Sequence, residues 1–169
     1  DTTKVIHIPV IHIDELKFDI TKRLNEIKKG DHVFVAIDSL GALASKKEVE
    51  DAEDEKSVAD MSRAKALKSL FRIIAPHFTM KDIPCVAISH VCKELGLYPK
   101  TSVGGGTGQY YSANTIFIIT KSQEKDGNEL KGWNFTINIE KSRFVKEKAK
   151  FVFTVLYGGG VQKYSGMLD

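Results

Sequence analysis

The stretch Val33-Phe34-Val35-Ala36-Ile37-Asp38-Ser39 decides the architecture. Apolar residues run through it without polar alternation, which reads as a strand apolar on both sides, the pattern of a parallel sheet covered on both faces. The acid directly after it stands at the carboxyl end of that strand, the edge where open α/β sheets bind ligands. Strand-ending Asp residues also cap turns, so position alone leaves both roles open for Asp38. A second run of the same kind, Pro84-Cys85-Val86-Ala87-Ile88, ends in Ser89-His90. Between the two runs, Met61, Ala64, Leu67, Leu70, Phe71, Ile74 and Phe78 recur at helical spacing. Ahead of the first, Leu16, Ile20, Leu24 and Ile27 do the same, with Asp14 as N-cap and Gly30 as the stop. The β-rich residues 5–8, closed by Pro9, precede that helix, so βαβ units fill the early chain.

Residues 115–120 read as a third strand of this parallel part. Beyond them the pattern changes. Asp126-Gly127 sits between strand-like runs, and Phe135, Ile137 and Ile139 alternate with Asn134, Thr136 and Asn138, a hairpin signature. Residues 151–156 give a further strand before Gly158-Gly159-Gly160. The expected organisation is one α/β domain over residues 1–169. In it, 1–120 form a mostly parallel sheet flanked by helices, and 121–169 form an antiparallel extension.

Composition agrees. The chain has 169 residues, 42% hydrophobic and 28% charged, enough to bury a core without disulfides or structural metal. The balance of 25 basic against 22 acidic residues argues for no particular partner, so any such case rests on where the charges lie. Cys85 and Cys92 form no CxxC pair and favour a reducing, cytosolic setting. No apolar run approaches the ~18 residues of a membrane span, and no signal-peptide pattern opens the chain. It begins at Asp1 and reads as a piece of a longer product.

Three clusters carry chemistry. Asp38 suits the orientation of hydrated Mg²⁺ on a nucleotide. Lys65, Lys68 and Arg72 make a basic stripe on the long helix, next to an acidic segment (46–60, a solvated loop or frayed helix) and a glycine-rich, mobile segment (91–108). The second of these carries Lys93, Tyr98 and Lys100, and such a cradle fits a single-stranded backbone. Lys141, Arg143, Lys146, Lys148 and Lys150 outnumber Glu140 and Glu147 in a basic patch past the hairpin. None of the glycines precedes a lysine, so the chain holds no GxxxxGK[ST] phosphate loop; Gly104-Gly105-Gly106-Thr107-Gly108 is no substitute.

The order of five motifs resembles the RecA-type recombinase core, most of all the UvsX recombinases of tailed phages. They are residues 36–43 (Ala-Ile-Asp-Ser-Leu-Gly-Ala-Leu), Met61-Ser62-Arg63-Ala64-Lys65, Gly104-Gly105-Gly106-Thr107-Gly108, Glu140-Lys141-Ser142-Arg143 and Tyr164-Ser165-Gly166. The resemblance implies ATP and Mg²⁺ as cofactors, with Asp38 as the Walker B acid and metal-orienting group and Ser39 beside it. It makes His90 the polar relay that senses the γ-phosphate, where bacterial RecA has glutamine. Lys141 and Arg143 match a pair reaching the nucleotide of the adjacent subunit, and Tyr164 an aromatic beside the base. The DNA-binding set is Lys65, Lys68, Arg72, Lys93, Tyr98, Lys100, Gly104 and Gly105; Gln109, Tyr110 and Tyr111 match a helix at the subunit boundary. The implied partners are single-stranded DNA, a homologous duplex, further copies in a filament, and mediator and single-strand-binding proteins, in a host cytoplasm if the source is a phage. A RecA-fold ring helicase and a non-hydrolysing DNA-binding or adaptor module are the alternatives. The family's phosphate loop and catalytic glutamate precede these motifs, so the isolated chain is expected not to hydrolyse ATP.

Overall fold

A computed structural model describes residues 4–54, 61–93, 101–104 and 106–166. The chain forms two compact units, 1–112 and 113–169.

In the first unit, helix α1 (Ile13–Glu26) starts two residues earlier than its sequence suggests. His12, not Asp14, is the N-cap, its Nδ1 accepting from the Glu15 amide at 3.1 Å. Asp14 instead lies in the first turn, where an acid favours the helix dipole, and its bond to Lys17 (2.8 Å) holds its carboxyl below the usual range. Strand β1 (Val35–Ile37) pairs parallel with β2 (Cys85–Ala87), Ile37 opposite Ala87. Helix α2 (Lys46–Glu53) and helix α3 (Ser62–Lys81) lie between these strands in the chain. The core joins Ile13, Ile20 and Leu24 of α1, Leu67, Leu70 and Ile74 of α3, and Ile37, Leu40, Leu43 and Ile83.

Four readings need correction. Residues 5–8 form no strand, and Val5 and Ile6 are exposed: a strand needs a hydrogen-bonding neighbour, and none of the described residues pairs with them. The parallel sheet is not covered on both faces within the described residues. Val35 and Ile37 face α1 and α3, while Phe34, Val86 and Ile88, of the opposite alternation, stay exposed. Within the acidic segment, α2 is an ordered helix with a complete capping box between Ser45 and Glu48, two reciprocal bonds that offset its lack of buried residues; residues 55–60 lie outside the described residues. Finally, the glycine-rich segment is not simply loop. Strands β3 (Val91–Lys93) and β4 (Thr101–Val103) pair antiparallel, followed by helix α4 (Thr107–Ser112).

The second unit is an antiparallel meander, β5 (Thr115–Asp126), β6 (Glu129–Ser142), β7 (Lys150–Leu156) and β8 (Gly160–Val161), in that spatial order. Thus 115–120, grouped above with the parallel part, pair antiparallel with β6, Ile118 opposite Asn138. A short apolar run looks alike in either kind of sheet, and the tight turn that follows it decides the direction. Only Gly127 and Asn128 separate the paired Asp126 and Glu129, and Gly127 takes φ 61°, as the first residue of a two-residue hairpin loop can. At Gly132 β6 leaves no room for a side chain beside β7: a Cβ there would fall 2.1 Å from the Val155 carbonyl oxygen. No helix among the described residues is long and apolar enough to cross a membrane.

Candidate functional site

Parallel pairing of β1 and β2 brings the two strand-end polar groups to one edge. The ladder continues past the strands: the Ile88 amide donates to Ile37 at 2.9 Å, and the Leu40 amide to Ile88 at 2.8 Å. Asp38 and Ser39 therefore lie alongside Ile88-Ser89-His90, Asp38 exposed and Ser39 half-buried. The Asp38–Ser39 peptide bond is cis. After Ser39 the chain turns through a 3-10 helix, Leu40–Ala42, whose Leu40 side chain anchors it in the core. At Gly41 the turn comes so close to His90 that a Cβ would fall 2.1 Å from the imidazole Cδ2. The His90 carbonyl accepts from the Gly104 amide at 3.0 Å, joining this edge to the end of β4. Asp38, Ser39, His90 and Gly104 thus form one constellation.

Helix α3 sorts its cations by face. Leu67, Leu70 and Ile74 fill the core side, and Lys65, Lys68 and Arg72 are exposed on another. The members of the stripe are not equivalent. Helix α4 crosses α3 at Lys68, where a Cβ on Gly108 would fall 2.8 Å from the Lys68 Cα. Lys65 and Arg72 lie on the side of Lys68 turned away from Ala64, which meets Gly106. Lys93 belongs to β3. Tyr98, Lys100 and Gly105 lie outside the described residues.

In the second unit, Lys141 is the penultimate residue of β6, opposite Ile116, and Arg143 lies just beyond the strand, its amide donating to Asn114 at 3.1 Å. The Ser142 hydroxyl accepts from the amides of Phe144 (3.1 Å) and Val145 (3.2 Å), which shapes the loop that presents Arg143. Partial burial and then the nearby Arg143 charge push the Lys141 ammonium below its ordinary pKa, with Glu147 acting against both. Two crowded cations of this kind are stabilised by an anion beside them. Tyr164 is exposed on a turn, with the Lys163 ammonium 5.4 Å from its ring centroid. A second aromatic, which the sequence reading did not single out, is Tyr157. It lines a shallow groove with Leu130, Leu156 and Gly158, and its hydroxyl accepts from Trp133 Nε1 at 3.0 Å. Its sequence signal was the glycine run directly after it.

Among the described residues no group of three or more His, Cys, Asp or Glu side chains comes together as a closed metal cage. A single strand-end carboxylate such as Asp38 suits Mg²⁺, which keeps several waters and takes further oxygens from substrate phosphates.

Another residue missed from sequence is Arg63. It lies on the core-facing side of α3, and its guanidinium donates to the carbonyls of Leu43, Leu40 and Gly41.

Residues 8–162 match the family model for the RecA N-terminal domain. The whole chain is 54% identical to a recombination and repair protein of Enterobacteria phage T4, covering 43% of that protein. It is 26% identical over 148 residues to Protein RecA of Chlorobium chlorochromatii, 85% of this chain and 41% of the relative. It is 25% identical over 158 residues to Protein RecA of Rickettsia canadensis, 92% of this chain and 45% of the relative. The chain therefore spans less than half the length of these relatives.

Proposed function

This chain belongs to the RecA family, and from that premise we propose that it is part of an ATP-dependent recombinase. It would form filaments on single-stranded DNA and promote homologous pairing and strand exchange. The observation that carries the proposal is the edge at which Asp38-Ser39 and His90 end two paired parallel strands. An acid and a side chain able to donate or accept, fixed on rigid strands at one edge, can report on a phosphate between them.

In this reading ATP with Mg²⁺ supplies a triphosphate whose terminal group carries extra negative charge. Asp38 orients the hydrated metal, and Ser39 adds a hydroxyl beside it. His90 is the sensing group, and its carbonyl bond to Gly104 ties it to the β3–β4 hairpin. Lys141 and Arg143 meet the nucleotide of a neighbouring copy. Arg143, whose planar fork can grip two oxygens, prefers a triphosphate to a diphosphate, so nucleotide state biases subunit geometry. Tyr164 stands beside the base, and Tyr157, equally exposed but lining the groove with Leu130 and Leu156, is a second aromatic that could serve there. Lys65, Lys68 and Arg72, with the segment around Gly104, hold the single strand by its phosphates. Homologous duplex, mediator and single-strand-binding proteins are the partners this role entails, and a host-cell cytoplasm is its setting.

The test replaces the matching stretch of the phage T4 relative with this chain and follows assembly on oligo-thymidylate by light scattering. Assembly with ATP, and its loss in the Asp38→Ala chimera, is the expected result. A folded chimera that assembles equally well with ATP, with ADP and without nucleotide would sink the proposal.

A further inference from the structure

The turn behind Asp38 is held from two sides. On one side stands the first turn of α3. Arg63 Nε donates to the Leu43 carbonyl at 2.8 Å, and Nη2 to those of Leu40 (2.9 Å) and Gly41 (3.2 Å). The neighbouring Ser62 hydroxyl bonds the buried Ser45 hydroxyl at the end of the same turn. On the other side stands His90, whose imidazole occupies the space a side chain at residue 41 would need. Its carbonyl in turn receives the Gly104 amide. A continuous line of contacts therefore runs from the start of α3, through Arg63 and Gly41, to His90 and the end of β4.

Bonds from a guanidinium to carbonyls belong to the stronger class, and the planar fork lets one side chain fix several acceptors at once. If the start of α3 moves, the Gly41 carbonyl moves with it, and the imidazole packed on Gly41 must follow.

We propose that Arg63 is a positioning residue. It fixes the Gly41 carbonyl and with it the backbone packed on His90, so that a displacement at the start of α3 is passed to the imidazole and, through the His90 carbonyl, to Gly104. The role of that transfer rests on the reading of His90 and α3 given under Proposed function. Under it, nucleic acid held on α3 and a phosphate sensed at His90 influence each other, and linkage makes the influence reciprocal.

The test uses NMR on this chain with labelled histidine and glycine, first without DNA. A nuclear Overhauser effect between the His90 ring and the Gly41 α-protons is expected in the parent. It is lost in Arg63→Gln and partly restored in Arg63→Lys, which keeps a charged donor without the fork. A role in fold stability alone would lower the melting midpoint and leave that contact intact. Its survival in folded Arg63→Gln overturns the positioning role. Gly41→Ala attacks the same contact from its other side and serves if Arg63→Gln does not fold; a His90 ring unmoved by it also overturns the proposal. Oligo-thymidylate is then added. It should shift α3 amides in the parent and in Gly41→Ala, but the His90 ring only in the parent. Equal His90 shifts in both overturn the coupling. Failure of DNA to bind overturns the functional reading, while the DNA-free contact still decides the positioning role.

Discussion

Removing Lys65 and Arg72 together should change how salt weakens single-strand binding. Both side chains are exposed on α3, clear of the crossing with α4, and so both are free to approach a phosphate. Each phosphate contact on a single strand contributes ~0.7 to the slope of log affinity against log salt. Two contacts are worth ~1.4, so between about 50 and about 200 mM salt the double Ala variant should lose ~7-fold less affinity than the parent. At the lower salt it binds more weakly from the outset. Lys68→Ala offers an internal contrast: its stem runs beneath Gly108, so its slope change should be smaller than that of either neighbour. Fluorescence anisotropy with labelled oligo-thymidylate across a salt series measures both effects, in the chain or in the T4-based chimera. A double variant with the parent's slope would remove α3 from the DNA surface, whatever happened to its affinity at one salt.

Four other outcomes follow from the structure and the sequence. Burial pushes the Cys85 thiol from 9.0 up to about 11, whereas Cys92 is exposed. At pH 8 a maleimide should label Cys92 and spare Cys85, which mass spectrometry of peptides reads directly; equal labelling would contradict the partial burial of the Cys85 thiol. Because the folded state resists that ionisation, the Cys85 contribution to stability is full below pH 9 and declines as pH rises toward about 11, a decline that Cys85→Ala should remove from alkaline melts. Gly132→Ala forces a methyl onto the Val155 carbonyl, backbone against backbone, and should cost ~1–3 kcal/mol or more in urea unfolding; a neutral result would mean that β6 and β7 are not so close. The 169 residues alone, having no GxxxxGK[ST], should show no steady ATP hydrolysis; turnover abolished by Asp38→Ala would overturn that expectation.

Much of the candidate site was legible from residue order. Asp38 was found because it directly follows an unbroken apolar run, and a strand hands its next residue to the sheet edge regardless of what surrounds it; His90, one residue beyond the second run, was singled out by the resemblance to a known family. The hairpin was visible for an equally local reason, since Asp126-Gly127 marks the turn and alternation marks the strands on either side. The capped helix inside the acidic segment was harder to see. Its signal, Ser45 and Glu48 three residues apart, was present, but no apolar face supported it, and a cap is a weaker pattern than a buried stripe.

Local periodicity, then, places the elements and the groups that end them, because it depends on neighbours a few residues away. Which way 115–120 pair, which face of the parallel sheet is covered, and how α4 divides the basic stripe are decided by segments distant in the chain. Arg63 is the sharpest case. Its partners lie 20 to 23 residues back and are backbone carbonyls, which every residue type carries alike, so no letter in the sequence marks them. Only when α3 packs beneath the turn does that arginine acquire something to hold.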